Sequence, residues 1–171
     1  VTSDNNGQFV LDGLSPCTTH TITPYRNDDH LLGVSTFDLV LINKHILDIE
    51  PFTSPYKSIA ADANLSKTVT TFDIAVIRKL ILGIDDTFPN NTSWRFVPRD
   101  YQFPNPDNPF TPQFPEFLTF TPTGLPPDVQ FVAIKTGDVN ATAVTMQGEM
   151  PENRNNNPWP LMYANAEFRR G

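Results

Sequence analysis

The residues best suited to chemistry in this chain are oxygen donors in an alternating series. Asp62, Asn64, Ser66, Thr68 and Thr70 stand two apart, and Asp73 follows three further on. Numbered as positions one, three, five, seven, nine and twelve of a loop, they aim successive side chains and the Thr68 carbonyl at one centre. An all-oxygen set of this size suits a hard cation, which takes six to eight oxygens. The expected metal ligands are therefore Asp62, Asn64, Ser66, Thr68 and Asp73, with Ca2+ as the cofactor. Lys67 stands at position six, where the sharp turn ordinarily takes glycine. Strain and a nearby ammonium make the expected dissociation constant weak, on the order of 10⁻⁴ M. The competing reading of the same residues is an ordinary polar turn capped by Thr70.

The elements that would hold this loop are duplicated. Residues 33–49 (GVSTFDLVLINKHILDI) lie over residues 68–84 (TVTTFDIAVIRKLILGI) after a shift of 35 positions (73 − 38). Each copy opens on a capping pattern, Ser35 to Asp38 and Thr70 to Asp73. Apolar stripes follow, Leu39, Ile42 and Ile46 in one copy and Ile74, Ile77 and Ile81 in the other. The pattern predicts helices near 36–47 and 71–82, with Gly83 ending the second. Counting back from Asp38 gives the first loop Asn27 at one and Asp29 at three, but Leu31, which has no ligand oxygen, at five. Asn27, Asp29 and Asp38 are the candidate ligands of this loop. Either Asp28 supplies the missing arm, or the loop keeps its shape by packing Leu31 and Leu32. Further on, Asp138, Asn140 and Thr142 repeat the oxygens of positions one, three and five. Glu149 falls at twelve, but no apolar helical pattern follows it. Two readings stand: a third loop, or Asp138 and Asn140 folding back onto the defective first one.

The paired loops and helices resemble type I dockerin repeats, and look closest to the dockerin-like modules of large secreted Bacteroidota surface proteins. Stretches at 90–98 (NNTSWRFVP) and 131–140 (FVAIKTGDVN) share that likeness, which covers roughly 27–142. The resemblance implies two calcium-loop helices packed together with β-rich segments attached, and a cohesin-like partner met by helix-face residues. Residues 2–24 alternate and turn like a β-hairpin. They resemble the tail of a carboxypeptidase-regulatory-like (transthyretin-like) sandwich. Two strands alone are marginal in water. They must pair with strands at 94–135 or with another subunit, and the second choice gives head-to-tail self-association into a fibre.

The expected fold class is α+β, with paired calcium-loop helices, flanking β-strands and long proline-rich extended segments. Four stretches organise the chain: 1–26 as a strand segment, 27–86 as the duplicated repeat, 87–150 as a Pro/Phe-rich extension, and 151–171 as a connector or terminal strand. Strands are expected at 93–97, 117–120 and 129–135, a loop at 153–157, and a strand or connector at 161–169. The 17 prolines keep much of the backbone out of helices and central strands. Aromatics between 98 and 127 read as anchors over the helix pair, or as a platform for sugars or a peptide.

A net charge of −7 argues against nucleic acid as a partner. No apolar run is long enough to span a bilayer. Cys17 is the only cysteine, so no disulfide forms within the chain. The opening Val1-Thr2-Ser3-Asp4 is polar, so an exported protein would begin further upstream. Asn90, Asn91 and Asn140 head glycosylation sequons, and Asn64 heads another whose amide the metal would claim. Catalytic signatures such as G-x-S-x-G or H-E-x-x-H are missing from the sequence, and His20, His30 and His45 are scattered. The expectation is a non-enzymatic extracellular or cell-surface protein. Either it is a calcium-stiffened subunit or spacer of a fibre or adhesin, or it is a docking module that anchors an enzyme or scaffold to a cohesin.

Overall fold

Ser35 and Thr70 start the two long helices by the same device. Each hydroxyl accepts an N–H from the first turn, that of Phe37 or Phe72, and each cap's own N–H goes to the carboxylate three residues on. These reciprocal bonds satisfy donors that a helix start otherwise leaves open. They fix α1 at Thr36–Ile46 and, after an intervening short helix, α3 at Thr71–Ile81. Both fall within one residue of the lengths expected from the sequence. Gly83, in the left-handed region at φ +63, turns the chain out of α3, and Asp48 does the same after α1 at φ +56. The two helices pack on each other. Ile42, Ile74, Ile77 and Leu80 are buried between them and the rest of the core, with Leu39, Ile46 and Ile81 half-buried against it.

The computed structural model describes residues 1–4, 7–122, 128–143 and a strand at 161–165. Within these lies a helix that the periodicity does not announce, α2 at Pro55–Ala61. Ser54 precedes it and Pro55 opens it, a residue whose fixed φ suits the first helical position. Seven residues are too few to display a 3.6-residue stripe, yet Ile59, Ala60 and Ala61 are fully buried.

Among the described residues five strands complete the fold: β1 at His20–Ile22, β2 at Trp94–Pro98, β3 at Leu118–Phe120, β4 at Asp128–Lys135 and β5 at Leu161–Asn165. The stretches expected at 93–97, 117–120, 129–135 and 161–169 start within a residue of β2, β3, β4 and β5, and residues 153–157 and 166–169 lie outside the described residues. Strands β2, β4 and β5 form one antiparallel sheet in that order, with Trp94 opposite Lys135 and Val97 opposite Val132. Alternation sends Val97, Val132 and Ile134 into the helical core, and Trp94, Phe96, Val129 and Phe131 into a smaller cluster on the other face. The helical repeat therefore shares one buried core with the segment that follows it. The chain is of mixed α+β class, and no helix among the described residues is long and apolar enough to cross a membrane.

The expected hairpin over 2–24 is corrected by the structure. Among the described residues of that stretch only His20–Ile22 is a strand, and it pairs antiparallel with β3 of the same chain, His20 opposite Phe120. Asp4 instead closes a local turn onto Gln8. Phe9, Ile22 and Leu118 pack on the Trp94 and Phe131 cluster, so burying that apolar face selects the long-range pairing. The aromatic segment behaves as anchoring chain. Phe103 meets the rings of Tyr56, Tyr101 and Phe114, and Phe114 is buried, while Phe117 stays exposed.

Candidate metal centres

Residues 62–73 build the first of two oxygen-lined centres, and the start of α3 completes it. Asp62 divides its carboxylate between two amides of the turn: Ser66 N–H reaches Oδ1 at 2.8 Å and Lys67 N–H reaches Oδ2 at 2.9 Å. Asn64 Oδ1 shares the Ser66 amide at 2.9 Å. Asp73 Oδ1 accepts the Asn64 N–H at 3.1 Å, while its Oδ2 caps Thr70. Ser66 Oγ lies 3.2 Å from the Thr68 carbonyl. Asp62, Asn64, Ser66, Thr68 and Asp73 are thus brought together by one hydrogen-bonded turn. Leu65 and Lys67 hold it at φ +61 and +65. The Lys67 ammonium is engaged by Gln113 Oε1 at 2.7 Å.

The second centre repeats this wiring from two distant pieces of chain. Asp138 Oδ1 accepts the Thr142 N–H at 3.0 Å and Oδ2 the Ala143 N–H at 2.9 Å. Asn140 Oδ1 shares the Thr142 amide at 3.2 Å. Asp38, at the start of α1, accepts the Asn140 N–H at 3.2 Å and the Val139 N–H at 2.9 Å on Oδ1, and caps Ser35 through Oδ2. Thr142 Oγ1 donates to the Gly33 carbonyl at 2.9 Å. Most bonds of the contiguous loop have a counterpart here, the exceptions being those of the Ser66 hydroxyl to Asp62 Oδ1 and Thr68 Oγ1. Asp138, Asn140 and Thr142 stand where Asp62, Asn64 and Ser66 stand, and Gly33, Ser35 and Asp38 where Thr68, Thr70 and Asp73 do. Even the φ of Leu65 recurs, at Ala141, φ +61.

The loop expected from Asn27 and Asp29 is not the one that completes Asp38. Asn27 Oδ1 accepts the Ser93 N–H at 2.9 Å, and Asp29 Oδ1 the Leu32 N–H at 3.1 Å, bonds that lead away from Asp38. Asp28 pairs with Arg26. Leu31 at position five offers no oxygen, so a segment that does takes over the first half of the loop. Of the two readings of 138–142, folding back is the one the chain adopts, and Glu149 lies outside the described residues. Thr142 stands at the fifth-position oxygen counted for it, and the Gly33 carbonyl is the member that the sequence count left without a role. The alignment of Gly33 with Thr68 in the duplicated repeat was the signal that could have found it.

Asp38, Asp62, Asp73 and Asp138 are all fully buried. Burial pushes the Asp38, Asp62 and Asp73 carboxyls above their ordinary range, and the charge of Asp138 adds to the effect on Asp38. Two sequestered carboxylates per centre, joined by amide, hydroxyl and carbonyl oxygens, form the all-oxygen set that suits a hard cation. Among the described residues no three His, Cys, Asp or Glu side chains gather, so each centre rests on two carboxylates and neutral oxygens. Residues of both centres therefore fit calcium. One cation already stands near the split centre: Lys135 is buried, its amine pushed down to about 8 by desolvation, and donates to the His30 carbonyl at 2.7 Å.

Other candidates take structural parts. His30 and His45 accept backbone N–H groups from Phe88 and Phe52 through Nδ1. Glu116 makes a two-pronged ion pair with Arg95. Asn91 donates its amide to the Asp62 carbonyl, and Asn140 belongs to the split centre, whereas Asn90 is exposed. Comparison of the chain with models of known families, with curated proteins and with solved structures gave no match.

Proposed function

We propose that this chain is a non-enzymatic, secreted, calcium-binding structural module of dockerin-like type, acting at the cell surface as a subunit or spacer of a fibre or adhesin. The observation that carries the reading is the recurrence of one oxygen-lined loop, with its carboxylate and amide bonds, in two places. A turn needed only for its shape has little reason to be rebuilt from separate segments with the same two carboxylates, amide and hydroxyl. Calcium would neutralise those buried charges and stiffen the helix pair. Calorimetry with calcium should show two ions per chain, one lost in Asp73→Ala and the other in Asp38→Ala. Absence of binding heat in the parent protein would sink the reading. Negative-stain imaging with and without chelator tests the fibre role.

A second reading, docking to a cohesin-like partner, draws on one observation. Phe37 and Phe72, Leu47 and Leu82, and Ile49 and Ile84 occupy equivalent places in the two repeats, and all six are exposed. Capture of a cohesin that Phe37→Asp with Phe72→Asp abolishes would favour it over the fibre.

A further inference from the structure

The two centres differ in one respect that matters physically: what their ligands join. In the contiguous loop the first and last carboxylates belong to one turn of chain. In the split loop the Asp38 carboxylate accepts amides 101 and 102 positions away. An ion in the first rigidifies a local turn, whereas an ion in the second ties two remote parts of the fold.

From this, and resting on the calcium reading above, we infer that the split centre is a calcium-dependent tie which fastens residues 138–143 to the start of α1 and releases them when calcium is withdrawn. Besides the carboxylates, core packing and a hydroxyl bond hold this segment. Val139 and Ala141 are buried in the core, and Thr142 bonds the Gly33 carbonyl. Upstream, Gly137 N–H is fixed to the Ala60 carbonyl at 2.8 Å and Thr136 to Ser93 and Thr92, so β4 stays anchored while the segment beyond it lets go. Four of its amides, those of Val139, Asn140, Thr142 and Ala143, end on the two buried carboxylates that the ion would join. Without the ion those carboxylates face one another across the junction, and opening it returns both to water. The contiguous loop has no such release, because its two halves remain covalently adjacent.

Gly33 offers a way to disturb the tie without touching a ligating side chain. Its φ is +73, and a Cβ there would come within 2.5 Å of the Ala143 nitrogen. Thr68 occupies the equivalent place in the contiguous loop without a left-handed φ, so at Gly33 both the backbone conformation and the approach of Ala143 exclude a side chain.

Amide exchange on the full chain, with calcium and with chelator, reads the tie directly. At calcium about 100 times the dissociation constant, exchange at residues 139, 140, 142 and 143 should be slowed about a hundredfold relative to chelator. Asp138→Asn and Gly33→Ala should each abolish that protection, and Asp62→Asn should leave it in place. Should two ions bind while these amides exchange equally with and without calcium, the tie is wrong and the two-site reading stands. One ion, lost only in Asp62→Asn or Asp73→Ala, also overturns the tie and leaves the contiguous site intact. No ion at all overturns both. If Asp138→Asn fails to fold, Gly33→Ala and the parent protein still decide.

Discussion

Lys67 shows how a single residue bears on the strength of a site. A side chain held at φ +65 costs roughly 1 kcal/mol that glycine would avoid, while glycine gives back about half of that through a freer unfolded chain. Lys67→Gly should therefore raise stability by about 0.5 kcal/mol and tighten calcium at the contiguous loop, since an ammonium leaves its rim. Calorimetry beside thermal melts checks both. His45 carries a pH dependence of opposite origin. Its Nδ1 accepts the Phe52 N–H at 3.1 Å and its ring stacks on Phe52, so burial lowers the pKa below the usual 6.5. A group with a depressed folded pKa contributes stability that is complete above its unfolded value and lost as pH falls through the folded one. Melts between about pH 7.5 and about pH 5 should show this loss, and His45→Gln should reduce it. At this scale the sequence was legible where spacing is contiguous: Asp62 to Asp73 stand as counted. It misled at Asn27 and Asp29, because counting back from Asp38 assumes that a loop's first half precedes its second in the chain.

The elements tell the same story through length. The starts of α1 and α3 were readable because a capping box and a three-turn stripe both mark them, and β2 and β4 because apolar residues cluster between turns. Pro55–Ala61 was not, since seven residues hold too little periodicity. The hairpin over 2–24 was misread for a different reason. Alternation reveals that a segment is half-buried, and says nothing of which distant strand it meets. Helix α2 nonetheless matters to the core. Ile59 is fully buried, and Ile59→Ala should cost about 3 kcal/mol by lost burial and a residual cavity. Denaturant unfolding measures that cost, and a change under 1 kcal/mol would mean that α2 is peripheral.

Across the whole molecule, stability and calcium should be linked. Saturation to about 100 times the dissociation constant adds about 2.7 kcal/mol for each site, so chelator should lower the melting temperature, and either Asp38→Ala or Asp73→Ala should shrink the shift. Deleting residues 1–24 should also destabilise the chain, because Phe9 and Ile22 cover the Trp94 and Phe131 cluster and His20–Ile22 completes the pairing of 118–120. An unchanged melting temperature in that variant would show that this cover contributes nothing. The split centre, finally, bears on modularity. A conventional two-helix repeat can be cut from one protein and grafted into another as a continuous cassette. Here a transplant of residues 27–86 would carry Asp38, Ser35 and the Gly33 carbonyl but leave behind Asp138, Asn140 and Thr142. The recipient would inherit one complete loop and half of another, so a graft that keeps both loops must include at least Gly33 to Ala143, with β2 and β4 inside it.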